Sequence, residues 1–229
     1  MKTFPNLRQG SSEWLAVRRG VVTASEVDAI ISPTFQTRTG KEPETFLFRK
    51  LAEKLLGWSD ADLRPGGGFS NFAMEQGHVV ETIARPWFAF QYDCEVATPG
   101  FCLSDDEKTG CSPDGLVGDD CGLEIKAPQP PTHLKYLIAG GVPPEYVAQI
   151  HFSMFVTGRA RWKFVSYSRQ FDPLVIEVKR DEEIQKKIAS AVASFYERFD
   201  VIHAKFKGQE DAENARKTAE YYAKEGITP

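Results

Sequence analysis

CSPDGLVGDDCGLEIKAP, residues 111 to 128, is the stretch on which the fold turns. The run from Gly118 to Gly122 supplies turn residues, and apolar segments flank it on both sides, as in an antiparallel hairpin. Residues two apart on a strand share a face, so Glu124 and Lys126 project the same way. The strand bearing Asp114 folds back beside them. Two carboxylates about 4 Å apart repel by about 4 kcal/mol at an effective dielectric of 20, so something cationic must offset them. Lys126 can neutralise one carboxylate. A divalent cation can neutralise both, and would account for hard oxygen ligands gathered in one place. The residues leave both readings open.

The acidic-x-Lys pattern alone is weak, because Asp106-Glu107-Lys108 and Glu177-Val178-Lys179 share it. The first lies in a polar turn, and the second lacks an acidic hairpin partner. Only Glu124-Ile125-Lys126 combines an apolar strand with an upstream Pro-Asp-Gly element.

Outward from the hairpin, CEVATP, FCLSD and GCSPDGLVG alternate with Gly, Pro and Asp turns and predict an antiparallel strand run beginning near Cys94. Before it, SSEWLAVRRG predicts a short helix started by Ser11 or Ser12 and stopped at Gly20. TASEVDAIIS predicts a second, capped by Thr23 or Ser25. TFLFRKLAEKLLG predicts a helix ending at Gly57, after a polar loop that begins at Pro33. RPGGGFS (64–70) reads as a flexible connection. FAMEQGHVVETIARPWFAFQY reads as a long helix that Pro86 kinks or splits. After the hairpin, PPTHLKYLIAGG and PPEYVAQIHFSMFVTG are helices opened by prolines, and RWKFVSYS and PLVIEVKR are strands. From Asp181 the chain is helical almost to its end, with a second, polar helix following the first. The order predicts an α/β fold in one domain over 1–229: a mixed central sheet flanked by helices, its core about 13–180 and a helical segment at 181–225.

The 229 residues, 41% hydrophobic and 26% charged, are ordinary for a soluble globular protein. No apolar run approaches the roughly 20 residues of a membrane span, and the N-terminus lacks a signal-peptide core, so a cytoplasmic setting is expected. Cys94, Cys102, Cys111 and Cys121 lie in one stretch without a close CxxC pair, which favours free thiols over a metal site or disulfides. A net charge of −4 argues against nonspecific coating of nucleic acid. It leaves room for a local basic site, since screening at about 8 Å makes binding a matter of nearby charge.

SPDGL followed by GLEIK resembles the PD-(D/E)xK nuclease core. The chain resembles the lambda exonuclease (YqaJ-like viral recombinase) family over residues 13 to 165: EWLAVRRGVVTASEV, EQGHVVE, CSPDGL, GLEIKAP and YVAQIHFSMFVTG stand in the family's order. The resemblance implies that Asp114 and Glu124 bind Mg²⁺ (Mn²⁺ substituting) with the main-chain carbonyl of Ile125, and that Lys126 orients or deprotonates the attacking water. Glu81 corresponds to a further acidic residue on metal or its water; without the resemblance it is an exposed helix glutamate. Gln149 matches a glutamine beside the active site, with Tyr146 a weaker neighbour, and Ser153 stands where the wider RecB-like pattern has Tyr. Arg18 and Ser25 match a pocket for the 5′ phosphate of a DNA end. A second pocket arginine has no direct match, Thr34 falling there, so Arg38 or Lys41 is its candidate replacement. Met74 falls where the family places an apolar wedge, or else belongs to the core.

The activity implied is a Mg²⁺-dependent 5′→3′ exonuclease that digests one strand of linear duplex DNA from its end. It would release mononucleotides and leave 3′ overhangs. The implied partners are duplex DNA ends, a homotrimeric ring of this chain and a single-strand annealing protein, in a phage or prophage setting. Two alternatives stand beside it: a PD-(D/E)xK endonuclease, and a non-enzymatic protein that binds DNA ends.

Overall fold

The turn predicted at Gly118 to Gly122 closes a hairpin in which β6 (Gly115–Val117) pairs antiparallel with β7 (Cys121–Lys126), Gly115 lying opposite Leu123. Gly118 takes the left-handed backbone that the turn requires, at φ +53°. This is seen in a computed structural model that describes residues 1–5, 7–57 and 72–225, the side chains of 72–79, 215, 219 and 221–225 excepted. The glycine-rich connection at 64–70 lies outside the described residues.

β7 next pairs parallel with β8 (Arg161–Ser166), and β8 pairs antiparallel with β9 (Leu174–Lys179). A parallel pair needs a long crossover, and α4 (Pro130–Ala139) and α5 (Pro144–Thr157) provide it. With β3 (Val96–Ala97) on the outer edge of β6, the strand order is β3-β6-β7-β8-β9.

Alternation along β7 assigns its two faces. Leu123 and Ile125 pack with Val165 of β8 against Ala84 and Phe88 of α3 (Phe72–Gln91). Gly122 and Glu124 point the other way, where their partners in register, Trp162 and Phe164, pack against Ile150 and Met154 of α5. The sheet therefore lies between α3 and α5. Gly122 is required here: a Cβ would sit 2.2 Å from the ring of the fully buried Trp162.

The predicted mixed α/β architecture is observed, but the strand run from Cys94 divides between two sheets. The second has the order β1 (Lys2–Thr3), β4 (Cys102–Leu103), β5 (Thr109–Cys111), β2 (Val22–Thr23), and its β2–β5 pair is parallel. Pro113, lacking an N–H, stands between β5 and β6, and a ladder cannot continue through it. Trp14, Val21, Phe101 and Leu103 form the core on this side. Cys102 and Cys111 face each other across β4 and β5, Cys121 is on β7, and Cys94 precedes β3 outside any strand.

Other boundaries moved for local reasons. α1 (Ser12–Val17) is capped by Ser11, whose hydroxyl accepts from the Trp14 N–H. The predicted second helix is a single 3-10 stretch, Ala24–Ala29, without a side-chain cap, because the Thr23 hydroxyl donates to Glu26 instead. α2 (Lys41–Leu56) starts earlier than predicted, inside the supposed loop, and ends as expected at Gly57. α3 runs through Pro86 as one helix, and α6 (Glu182–Glu225) is a single helix where two were predicted. The chain forms two compact units, Met1–Val192 and Ala193–Pro229. In the second, Phe195, Tyr196 and Phe199 pack on one another.

Candidate active site

Glu124 lies among the apolar side chains of Trp162 and Phe164, and it is 3% exposed. Such a carboxylate needs partners, and it has two: the Lys126 ammonium at 2.7 Å and the Gln149 side-chain amide, which donates from α5 at 2.7 Å. Strand periodicity supplies the lysine and the crossover supplies the glutamine. Asp114 stands at the entry to β6, where one side-chain oxygen accepts from the Ile125 N–H and its own N–H donates to the Leu123 carbonyl. Burial pushes the Asp114 carboxyl well above the ordinary carboxylate range, and the negative charges of Glu124 and Glu81 push it further. For Lys126 burial acts downward, but the charges of Glu124 and then Asp114 outweigh it, so the ammonium is held more firmly than in water.

Glu81, Asp114, Glu124, Ile125, Lys126 and Gln149 line one cavity of about 510 Å³. Glu81 comes from α3, so three elements on both sides of the hairpin contribute. Among the described residues, no three acidic, histidine or cysteine side chains converge closely enough to hold an ion alone. That donor set fits Mg²⁺, which takes one or two carboxylates and completes its octahedron with water and substrate phosphate. The repulsion that raises Asp114 is the electrostatic deficit that such a cation offsets.

The same cavity is lined by Arg18 and Ser25. Arg18 lies over the Trp14 ring, 4.0 Å from its centroid, and donates to the Thr23 hydroxyl at 3.1 Å. Trp14 in turn donates to the Ser112 hydroxyl, which ties α1 to the segment before Asp114. Ser25 is exposed at the start of the 3-10 stretch, its hydroxyl 3.4 Å from that of Thr23.

Two arginines in the site were not singled out in the sequence. Arg49, on α2, lines the cavity and pairs with Glu26 at 3.2 Å. Glu26 also meets Lys50 at 3.0 Å and Arg18 at 4.0 Å. Burial alone would raise the Glu26 carboxyl, but Lys50 and Arg18 bring it below the ordinary value. Arg85 donates to the Asp114 carbonyl at 2.6 Å. A signal for Arg85 was present, since it follows Glu81 by one helical turn and shares its face. Arg49 carried none, because an arginine on an amphipathic helix is ordinarily solvated.

The remaining candidates fall elsewhere. Arg38 donates to the Ile31 carbonyl and pairs with Glu42 at 2.8 Å, so Arg49, not Arg38, stands beside Arg18. Tyr146 belongs with the lysine rather than the arginines: its ring lies 4.9 Å from the Lys126 ammonium and stacks on Phe164. Met74 is on α3, and its side chain lies outside the described residues. Of the competing acidic-x-Lys patterns, Glu177 pairs with Lys163 and Glu107 with Lys2, neither beside a second carboxylate of the cavity.

The model of the YqaJ-like viral recombinase domain matches residues 13–160. Among solved structures, the alkaline exonuclease LHK-Exo from Laribacter hongkongensis superposes with a TM-score of 0.75 at 26% identity, covering 88% of this chain and 99% of that one. The same protein in complex with dAMP superposes equally well, at 27% identity. A phage-related exonuclease from Haemophilus somnus shares the fold with a TM-score of 0.59 at 14% identity, over 81% of this chain and 96% of that one. The core is thus of the PD-(D/E)xK type. No curated protein sequence matches.

Proposed function

From the premise that this chain belongs to the YqaJ-like viral recombinase family, we propose that it is a Mg²⁺-dependent 5′→3′ exonuclease acting on linear duplex DNA. The family and the fold shared with an alkaline exonuclease support a DNA exonuclease. The observation that carries the finer reading is that one cavity holds both the Asp114–Glu124–Lys126 group and the Arg18–Arg49–Ser25 group. The first suits hydrolysis of a phosphodiester, and the second suits the terminal phosphate of the strand being cut.

Asp114, Glu124 and the Ile125 carbonyl would hold Mg²⁺ or Mn²⁺, with Glu81 on the metal or its water. The bound ion supplies a lowered water pKa and a counter-charge for the leaving oxygen. Lys126, fixed between Glu124 and the Tyr146 ring, orients the water and adds positive charge beside the phosphate in transit. Gln149 holds Glu124 in a single orientation. Arg18 presents a guanidinium for charge-assisted contacts to phosphate oxygens, and Ser25 adds a hydroxyl. The dAMP complex of LHK-Exo is consistent with mononucleotide release. The reading includes assembly of this chain into a trimeric ring and cooperation with a single-strand annealing protein in a phage or prophage setting.

The test uses linear duplex labelled separately at each 5′ and 3′ end, with Mg²⁺ and with excess chelator. Early release of the 5′ label as mononucleotide, absent in chelator and slow with Ca²⁺, is expected. Early release of the 3′ label would reverse the polarity. Nicking of a closed circular duplex would instead make it an endonuclease, and binding of ends without release would leave it a non-enzymatic end-binding protein.

A further inference from the structure

Asp114 is gripped at three points. Its N–H bonds to Leu123 at 3.1 Å and its carboxylate accepts from the Ile125 N–H, both partners on β7. The third grip has another origin. The Asp114 carbonyl accepts from Arg85 Nε at 2.6 Å, a side chain reaching across from α3. β3 does not extend to this carbonyl, because its pairing with β6 stops at Ala97 opposite Leu116. Arg85 therefore holds the sheet edge where strand pairing ends.

Its place on α3 gives the contact a consequence. Residues four apart lie on one helical face, so Arg85 and Glu81 are presented together. Glu81 and Asp114 line the same cavity. We propose that Arg85 is a positioning residue for divalent-cation binding, fixing the peptide of Asp114 against the helix that carries Glu81. The inference rests on the metal reading above. Without Arg85, the two carboxylates belong to elements free to drift apart, and a hard cation that demands near-ideal geometry is held less well.

The hairpin contains its own control. At its turn end, Arg159 Nη1 donates to the carbonyls of Gly118 and Cys121, both at 2.8 Å, and to that of Val117 at 3.4 Å. This is the same kind of grip on the same hairpin, made at the end away from the carboxylates.

The experiment compares the full chain with Arg85→Met, Arg85→Lys and Arg159→Met, without DNA. Free Mn²⁺ is followed by electron paramagnetic resonance through a titration, and thermal unfolding is measured in chelator. Arg85→Met is expected to weaken Mn²⁺ binding by roughly 10- to 100-fold, the usual effect of losing a residue that orients a metal ligand. Arg85→Lys should recover part of that loss by donating one hydrogen bond. Arg159→Met should lower the unfolding temperature and leave the Mn²⁺ affinity where it was. Unchanged affinity in Arg85→Met, or equal weakening in Arg85→Met and Arg159→Met, would overturn the proposal. Should Arg85→Met fail to fold, Arg85→Lys decides: severalfold weaker binding supports the role, and unchanged binding removes it. A wild-type chain that takes up no Mn²⁺ overturns the metal reading before any substitution is compared.

Discussion

Replacing Arg18 and Arg49 singly by Ala, with Arg38→Ala as control, tests whether the cationic side of the cavity receives a terminal phosphate. Arg18 is 15% exposed and fixed on the Trp14 ring, so a charge-assisted contact made there is little screened. Such contacts are worth roughly 1.5–3 kcal/mol. At about 1.4 kcal/mol per factor of ten, Arg18→Ala should slow digestion of 5′-phosphorylated duplex by roughly 10- to 150-fold. Arg49 is 33% exposed and already shared with Glu26. Screening and that competition reduce its contribution to about 1 kcal/mol, or roughly fivefold. Arg38 is bound to Glu42 and the Ile31 carbonyl, and its loss should change nothing measurable. The assay is the initial rate of nucleotide release from duplexes that differ only in a 5′ phosphate or 5′ hydroxyl. On the proposed reading, both cavity-arginine variants should approach wild type on the hydroxyl end, since the missing phosphate removes what they would bind. Parallel losses on both ends would mean that the arginines serve folding, and equal wild-type rates on the two ends would refute the phosphate reading altogether.

Asp114→Asn, Glu124→Gln and Lys126→Met should each lower cleavage by several orders of magnitude, whereas Glu177→Gln and Glu107→Gln should leave it near wild type; single-turnover rates decide. In chelator, Asp114→Asn should unfold at or above the wild-type temperature, because it removes a half-buried charge repelled by Glu124 and Glu81. Lys50 is 2% exposed between Glu26 and Glu53, so Lys50→Met strands buried carboxylates and should cost about 3 kcal/mol, the low end for a broken buried pair since Glu26 keeps Arg49; urea titration measures it. Gly122→Ala forces a methyl into the Trp162 ring and should destabilise by roughly 1–3 kcal/mol, with activity falling as the strand shifts beneath Glu124.

The chemistry of the hairpin was legible because strand periodicity is local: two residues of separation put Glu124 and Lys126 on one face, and the turn residues announced the fold-back to Asp114. Helix ends marked by Ser11 and Gly57 were legible for the same reason. The division of the strand run into two sheets was not, since each strand there has two or three residues and β1 and β2, which complete the second sheet, come from far away in the chain. β2 pairs with β5 across 87 positions at Val22 and Thr109, a choice that no local pattern encodes. Thr23 misled as a cap because its hydroxyl serves Glu26, a tertiary demand overriding a local preference. Arg49 remained hidden because an arginine on a helix face looks alike whether it meets solvent or a cavity, whereas Arg85 was marked only by its spacing from Glu81.

The two sides of the cavity are unbalanced in opposite senses. Around Asp114 the three carboxylates Asp114, Glu124 and Glu81 exceed Lys126 and Arg85, and around Glu26 the cations Arg18, Arg49 and Lys50 exceed Glu26 and Glu53. A free anion satisfies only the second side and a free cation only the first. A strand end with a terminal phosphate, accompanied by a divalent cation at the next phosphodiester, satisfies both together. This also removes the tension between an acidic chain and a nucleic-acid substrate, since the attraction is needed only where the strand end enters. α5 joins the two sides: it offers Gln149 to Glu124, and it packs against the 3-10 stretch that presents Ser25. On the proposed reading, that shared helix sets the distance between the anchored end and the scissile bond, and hence the length of each product. Loosening the packing of α5 on the 3-10 stretch should therefore blur product size before it abolishes cleavage, whereas substitutions at Asp114 should abolish cleavage and leave the size of any residual product unchanged.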